Sequence, residues 1–532
     1  MRPERTTSRA ALAGWAAAAL AAGLLHALSF GLLAHWSVGL LSLLLLFTIL
    51  ERACAGGSCR RRVMLLTGLF GLAHFSLGLS WLHHSMHHIG GMPFALSVLA
   101  VLLFAAYLAL FQALALGLVQ GMMVPSAPPV PAALALAASW WLAEAARGWL
   151  FTGFPWLSVG YGQIEGPLAG WAALTGVHGV SALTVFLAAL AARGLTPDTR
   201  ALSRGRAGGG STPGRWRRLQ TPGLALGLLL LSHLINIGPH HWVRPQGEPL
   251  QVQLLQGNVP QDLKFNPQRT LQAMHEYLQA FERSQARLTL MPETAWTVPW
   301  SMTPPEIARR LLAHVQNGHA LAIGLPRWAP DSGRPANSVM LLAPQGDPAR
   351  APLYDKHHLV PFGEFIPWGF GWFVRQMQIP MGDFVRGALV QSAFEVGGQK
   401  VAMNICYEDL FGEEIRLGVL QAQASVLANV SNLGWFGRSS ALDQHLAISR
   451  FRSIETGRPM LRATNTGMTA AIDHRGRVLV RLAPHVEGAL DATVQGMQGL
   501  TPYARFGQAP WLVGCALGLA LMAFIARRRP PD

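Results

Sequence analysis

Long apolar runs fill most of the first 240 residues and return near the end of the chain, separated by short polar segments. A helix needs about 20 predominantly apolar residues to cross the hydrocarbon core of a bilayer. Runs of this length predict eight membrane-spanning helices, near residues 10–27, 29–50, 63–82, 94–119, 131–148, 168–192, 222–239 and 509–526. The pattern therefore predicts a polytopic membrane domain over 1–239, a separate domain over 240–508, and a last helix with a basic tail over 509–532.

Composition and charge placement agree with membrane insertion. The 532-residue chain is 51% hydrophobic and only 13% charged, whereas soluble domains average about 25% charged residues. Its net charge of +15 could suggest nucleic-acid binding, but the arginines gather in short segments, near 2–9, 52–62, 193–218 and 527–529. With eight spans these clusters share one side of the membrane, which is then the cytoplasmic side. We therefore expect no nucleic-acid partner and an extracytoplasmic location for 240–508, which in a bacterial inner membrane is the periplasm.

The extracytoplasmic block has a different texture, because short apolar runs alternate with helix-like stretches. The runs predict strands over Leu250–Gln256, Arg287–Met291, Ala320–Leu325, Ser338–Leu342, Lys400–Ile405, Ser425–Val430 and Thr469–Ile472. The stretches between them predict helices over Gln268–Arg283, Glu306–Gln316, Glu413–Gln421 and Leu442–Glu455. This alternation is typical of an α/β domain with sheets inside and helices outside, in which active sites lie where strands end.

Three polar features lie in or beside the predicted spans. Glu144 and Arg147 share one helical face, so they can pair with each other or contact lipid headgroups. The histidines of 83–88 have a spacing that suits a metal, but no carboxylate or cysteine accompanies them, so an interfacial turn is favoured. Cys54 and Cys59 could pair or bind a metal, yet incidental loop cysteines are the expectation. We expect no metal site.

Three reactive side chains follow strand-like runs in the extracytoplasmic block: Glu293, Lys356 and Cys406. A thiolate is the best side-chain nucleophile near neutral pH. Glu293 would accept the thiol proton, while Lys356 would stabilise the thiolate and a developing oxyanion. His357 and His358 leave a Cys/His arrangement open, and a structural cysteine beside a Glu–Lys ion pair is a further alternative. The residue types alone suggest covalent acyl transfer without establishing it.

Three sequence blocks resemble the signature blocks of the nitrilase, or carbon–nitrogen hydrolase, superfamily: Met-Pro-Glu at 291–293, the segment 356–364, and Asn-Ile-Cys-Tyr-Glu at 404–408. That superfamily implies an αββα sandwich with a Glu-Lys-Cys triad. The order of spans, domain and final span resembles the apolipoprotein N-acyltransferase family of Gram-negative bacteria. Further stretches that match this family lie at 147–156, 256–261, 434–437 and 499–505.

The resemblance implies a role for each matching residue. Glu293 would be the general base, Lys356 the oxyanion stabiliser and Cys406 the nucleophile, with the backbone N–H of Tyr407 joining the oxyanion hole. Supporting or substrate-binding residues would be Glu364, Tyr407 and Glu408. Two positions depart from the family pattern: Phe265 stands where tryptophan is frequent, which preserves an aromatic packing surface, and Leu433 stands where aspartate is common, which removes a polar contact.

The resemblance also implies a two-step reaction that needs no cofactor. Cys406 attacks the sn-1 ester of a phospholipid, typically phosphatidylethanolamine, and the α-amine of an S-diacylglyceryl-cysteine on an apolipoprotein then accepts the acyl chain. The partners would be the phospholipid donor, the diacylated apolipoprotein acceptor and the membrane itself. The aromatic stretch Ile366–Met381 is a candidate interfacial lid, or else packs inside the domain. Two other functions are a membrane-anchored amidase acting on a small amide, and a transporter or scaffold with an accessory domain.

Overall fold

The computed structural model describes residues 8–55, 59–124, 127–195, 215–237, 241–367, 369, 371 and 383–528. The candidate lid at Ile366–Met381 therefore lies almost entirely outside the described residues. The chain divides into two compact units. The helical unit comprises Met1–Ser80, Ala95–Pro239 and Gln508–Asp532, and the second unit comprises Trp81–Phe94 and His240–Gly507.

Within the described residues, a helix overlaps each of the eight predicted apolar segments. In chain order the α-helices are α1 Arg9–Leu28, α2 Trp36–Ala53, α3 Arg60–Gly78, α4 Trp81–His84, α5 Phe94–Leu118, α6 Pro129–Arg147, α7 Ala172–Leu195, α8 Arg215–Ile237, α9 Pro267–Glu282, α10 Pro305–Gln316, α11 Gly412–Leu420, α12 Ala441–Thr456, α13 Pro502–Phe506 and α14 Ala509–Arg528.

Fewer than eight of these helices satisfy a strict length and hydropathy test for spanning a membrane. Among the described residues four do so, and a bent pair, Arg60–Gly78 with Trp81–Ile89, would make a fifth. The last helix is apolar over a shorter stretch, Ala509–Ile525. Charged residues explain part of the shortfall, since Glu144 and Arg147 lower the hydropathy of α6. The helical unit nonetheless has the apolar helices of a membrane protein.

The charged pair of α6 is buried in the helical unit and binds the loop that follows the helix. Arg147 donates to the carbonyl oxygens of Phe154 at 2.8 Å and Trp156 at 2.7 Å. Glu144 accepts the backbone N–H of Val159 at 2.9 Å. Both side chains are only 1% exposed, so they stabilise this loop from within the helical unit.

Cys54 and Cys59 form a disulfide between α2 and α3. The expectation of incidental, unpaired cysteines was therefore wrong. The Cα atoms of the two cysteines lie 5.2 Å apart, well within the range that a disulfide bridges. Sequence spacing could not decide this, because the distance depends on how the two helix ends meet.

The histidine-rich turn at 83–88 belongs to the second unit. Trp81 donates from its indole N–H to Gln444 Oε1 at 3.2 Å, and Ser85 donates to the carbonyl of Trp435 at 2.5 Å. The rings of His83 and His87 stack with centroids 5.1 Å apart. Within the part of the chain that the structure describes, no group of three or more potential ligands could hold a metal ion.

Fourteen strands lie in the described part of the second unit. They are β1 Val243–Pro245, β2 Leu250–Gln256, β3 Leu288–Leu290, β4 Ala320–Trp328, β5 Pro335–Leu342, β6 Leu353–Asp355, β7 Phe394–Val396, β8 Gln399–Ile405, β9 Val426–Ser431, β10 Met460–Thr464, β11 Ala470–Ile472, β12 Val478–Arg481, β13 Gly488–Val494 and β14 Met497–Gly499.

Twelve of these strands form two six-stranded sheets, while β1 pairs with β14. The first sheet has the order β13-β2-β3-β4-β5-β6 and the second β12-β11-β10-β9-β8-β7. In each sheet the three strands β2-β3-β4 or β8-β9-β10 are parallel and the flanking strands are antiparallel. Parallel strands buried on both faces are typically apolar runs, which is why β2 and β8 were predicted almost residue for residue.

The core lies between the two sheets, and helices cover both outer faces. Along β2, Leu250, Val252 and Leu254 pack into the inter-sheet core, whereas Leu255 points to the other face. Residues of α9 and α10 pack on that outer face of the first sheet, and residues of α11 and α12 on the outer face of the second. The predicted αββα sandwich is confirmed.

Candidate active site

A tight turn after β3 presents Glu293. The backbone of Thr294 has a positive φ of 51°, and the turn lies against Gly324 of β4. A Cβ atom at Gly324 would come within 2.3 Å of the Pro292 carbonyl oxygen and 2.9 Å of the Glu293 Cα. Glycine at this strand position therefore lets the Glu293 turn pack directly on its neighbour.

Glu293 and Glu364 share one buried ammonium group. Lys356 Nζ lies 3.3 Å from Glu293 Oε1 and 2.9 Å from Glu364 Oε1, and its side chain is 1% exposed. Asn337 of β5 bridges the same two oxygens, since its Nδ2 donates to each at 2.8 Å. Burial alone would lower the pKa of Lys356, but the charges of Glu364 and Glu293 outweigh it and raise that pKa. The two carboxylates therefore favour the ammonium form of Lys356.

Lys264 supplies a second cation that sequence reasoning missed. Its Nζ donates to the backbone carbonyl of Glu293 at 3.1 Å, and the residue is 4% exposed. Burial lowers the pKa of Lys264 to about 8, against the opposing charges of Glu293 and Cys406. The rarity of lysine could have pointed to Lys264. The chain has only three lysines, and two of them, Lys264 and Lys356, are buried at this site.

Glu293 is held as a carboxylate. Its Oε2 accepts the backbone N–H of Asn432, at the end of β9, at 2.8 Å. Burial would raise the pKa of Glu293, but Lys356, Lys264 and the hydrogen bonds from Asn337 and Asn432 together lower it. The group is thus ionised and ready to accept a proton.

Cys406 stands where β8 ends and a short 3₁₀ turn, Cys406–Leu410, begins. Its backbone φ is 54°, in the left-handed region that costs a non-glycine residue about 1–2 kcal/mol. Desolvation and then the charge of Glu293 raise the pKa of its thiol, while Lys356 lowers it. The resting group is a thiol, so attack requires that its proton leave as the new bond forms.

Glu408 ties the Cys406 turn to the Lys356 segment. Its Oε1 accepts the backbone N–H groups of His357 at 2.6 Å and His358 at 3.0 Å. Its Oε2 accepts the N–H of Ile405 at 2.6 Å and the hydroxyl of Tyr354 at 2.8 Å. Burial raises the pKa of Glu408 to about 7, although the backbone donors oppose this. The contacts are those of a positioning group.

The side chains next to the predicted triad have other contacts. His357 Nδ1 lies 2.8 Å from the Gly387 carbonyl, and His358 Nδ1 lies 2.9 Å from Glu414 Oε1. Neither contact involves the thiol, so the Cys/His alternative gains no support. Tyr407 is buried and its ring lies 5.3 Å from that of Phe411.

The two departures from the family pattern differ in surroundings. Leu433 is fully buried in the apolar cluster beneath α11 and α12, so its side chain fills core volume. Phe265 is 63% exposed, and most of its aromatic surface is therefore open rather than packed.

Both parts of the chain are similar to known protein families. Residues 22–190 match the apolipoprotein N-acyltransferase N-terminal domain, and residues 251–503 match the carbon–nitrogen hydrolase family. An apolipoprotein N-acyltransferase of Ralstonia nicotianae is 45% identical over 467 residues, covering 86% of this chain and 84% of that protein. A Bordetella bronchiseptica protein of the same name is 42% identical over 514 residues, covering 88% and 89%. One from Nitrosomonas europaea is 42% identical over 465 residues, covering 86% and 87%.

Proposed function

The chain belongs to the apolipoprotein N-acyltransferase family, and on that premise we propose that it transfers an acyl chain from a phospholipid, through a thioester on Cys406, to the N-terminal amine of S-diacylglyceryl-cysteine in apolipoproteins. It is a membrane acyltransferase. The observation that carries the proposed chemistry is the buried Glu293–Lys356–Glu364 cluster beside the strand end that bears Cys406.

In the first half-reaction Cys406 Sγ attacks the sn-1 ester carbonyl as Glu293 accepts the thiol proton. The carbonyl oxygen becomes an oxyanion, which Lys356 and the backbone N–H of Tyr407 stabilise. Collapse breaks the ester C–O bond, and Glu293 returns the proton to the departing oxygen. The products are a thioester on Cys406 and a lysophospholipid.

In the second half-reaction the acceptor amine attacks the thioester carbonyl. Glu293 accepts a proton from the amine, an amide bond forms, and the thiolate of Cys406 leaves and is reprotonated. The same oxyanion donors serve both steps. The mechanism is ping-pong, because the lysophospholipid leaves the acyl-enzyme before the acceptor amine reacts with it. Proton transfer from Cys406 to Glu293 leaves the net charge of the site unchanged. Two ammonium groups, Lys356 and Lys264, face two negative charges in either state: Glu364 with Glu293 before the transfer, and Glu364 with the thiolate after it.

The proposed setting is the bacterial inner membrane with the catalytic unit on the periplasmic face. The support is the placement of arginine clusters in the segments that eight spans would leave on one side. Both substrates carry acyl chains and reside in the outer leaflet, so neither needs to leave the bilayer to react.

A reconstitution assay tests this proposal. The purified full chain would be incubated with phosphatidylethanolamine vesicles and a synthetic diacylated lipopeptide, and in parallel with a small amide. We expect a triacylated peptide and lysophospholipid in equal amounts, no amide hydrolysis, and no product from Cys406→Ala. Hydrolysis of the amide without acyl transfer would identify an amidase instead.

A further inference from the structure

A buried polar network lies directly behind Cys406 and has no part in the proton transfers above. It contains Asp409 from the 3₁₀ turn, His445 and Ser449 from α12, and Arg462 from β10, each at most 1% exposed. Arg462 lies 3.2 Å from Asp409 Oδ2, and Ser449 donates to the same oxygen. Burying four polar groups together is costly unless each is satisfied, so the network invites a functional explanation.

The contacts of His445 fix which ring nitrogen carries its proton. Arg462 Nη2 lies 2.8 Å from His445 Nδ1, and a guanidinium can only donate. Nδ1 is therefore the acceptor, and the proton sits on Nε2. That Nε2 lies 3.3 Å from the carbonyl oxygen of Cys406 and 3.0 Å from Asp409 Oδ1.

The carbonyl of Cys406 thereby receives two side-chain donors. One is the Nε2–H of His445, which Cys406 shares with Asp409 Oδ1, and the other is Asn429 Nδ2 at 3.2 Å. In a trans peptide the C=O and the following N–H point in opposite directions. The two donors that hold the Cys406 carbonyl inward therefore also set the direction of the Tyr407 N–H. They also help to hold the backbone of Cys406 at its positive φ, which is an unfavourable conformation.

We propose that the Asp409–His445–Arg462 network is a positioning device for the 406–407 peptide, and that it orients the Tyr407 N–H toward the acyl oxygen in both half-reactions. Arg462 holds His445 in the required tautomer, and Asp409 balances the charge of Arg462. The inference rests on the proposed acyl transfer at Cys406. It assigns positioning roles to three residues that touch no substrate.

Two reactions of the same thiol separate this role from a general structural one. Acylation by phospholipid passes through an oxyanion, whereas alkylation by iodoacetamide is a direct displacement and needs no oxyanion donor. We expect His445→Leu to slow acylation of Cys406 by about 100-fold, the usual effect of losing an oxyanion donor, while the alkylation rate stays the same. His445→Gln, whose amide can both donate to Cys406 and accept from Arg462, should recover most of the acylation.

Phe451→Leu is the matched control, since Phe451 is a fully buried ring on the same helix. It should lower the melting temperature without separating the two reactions. The inference is overturned if His445→Leu acylates at the wild-type rate, or if its acylation and alkylation fall together as in a loosened fold. Failure of the wild-type protein to form any acyl-enzyme would instead overturn the proposed function, and this inference with it.

Discussion

Replacing Lys264 with methionine should make the protein more stable and less active at pH 7. Burial lowers the pKa of Lys264 from 10.5 to about 8. A pKa difference of one between the folded and unfolded states corresponds to about 1.4 kcal/mol in the free energy of unfolding. The buried ammonium thus destabilises the folded state by about 3 kcal/mol. Methionine fills similar space without the charge, and losing the hydrogen bond to Glu293 costs about 1 kcal/mol. The net gain is about 2 kcal/mol, or roughly 4 °C in melting temperature.

The size of the stability gain depends on pH in a way that can be checked. Because the folded pKa lies below the unfolded one, the cost of the ammonium is complete below pH 8 and fades as the pH rises toward 10.5. Thermal unfolding of detergent-solubilised protein would compare wild type with Lys264→Met at about pH 7 and at about pH 9.5. The stability gained by the substitution should be less than half as large at the higher pH. Lys400→Met is the control, since that side chain is 37% exposed.

The activity loss follows from the attraction between the Lys264 ammonium and the thiolate of Cys406. A cation near the developing thiolate contributes about 1–2 kcal/mol at an effective dielectric constant near 20, so we expect acylation to slow roughly 10-fold. A Lys264→Met protein that is less stable than wild type at pH 7, or equally favoured at both pH values, would refute this reasoning.

Three further changes probe other parts of the site. Ionisation of Glu408 near pH 7 leaves both of its carboxylate oxygens free to accept from their four donors. The acylation rate should therefore rise with pH through about 7. A flat profile from about pH 5.5 to 7.5, or a normal rate for Glu408→Gln, would contradict this. Gly324→Ala should displace the Glu293 turn and slow acylation about 100-fold while circular dichroism shows a retained fold; an unchanged rate would mean that the turn does not need this close approach. Leu433→Asp should lower the melting temperature, because a carboxylate without a partner costs at least about 2 kcal/mol in an apolar core; full stability would show that the position accepts polar contacts after all.

The sequence predicted the central strands and the helices of the sandwich well, for a physical reason. Strands such as β2 and β8 are buried on both faces and read as apolar runs, while α9 and α10 show one apolar face. The outer strands escaped notice. In β12 and β13 exposed residues alternate with buried or half-buried ones, and some of the exposed residues are apolar. Strands β6 and β7 are only three residues long, so none of these strands has a clear local pattern.

The roles of the site residues stay predictions, but the structure agrees with the placement that the signature blocks imply. Glu293, Lys356 and Glu364 lie together as those blocks imply. Asn337 and Arg462 could not be found the same way, because each is an ordinary polar residue inside a strand. Their importance comes from partners far away in the chain, which only the fold brings within hydrogen-bonding distance.

The central claim is that Cys406 carries a fatty acyl group taken from a phospholipid. The most direct test is intact-protein and peptide mass spectrometry of the full chain after incubation with phosphatidylethanolamine of defined acyl composition, without any acceptor. The account predicts one added acyl group, matching the sn-1 chain, on the peptide that contains Cys406, and its release by hydroxylamine at neutral pH or on addition of a diacylated lipopeptide. An unmodified Cys406 in protein that still forms triacylated peptide, or an adduct on a different residue, would contradict it.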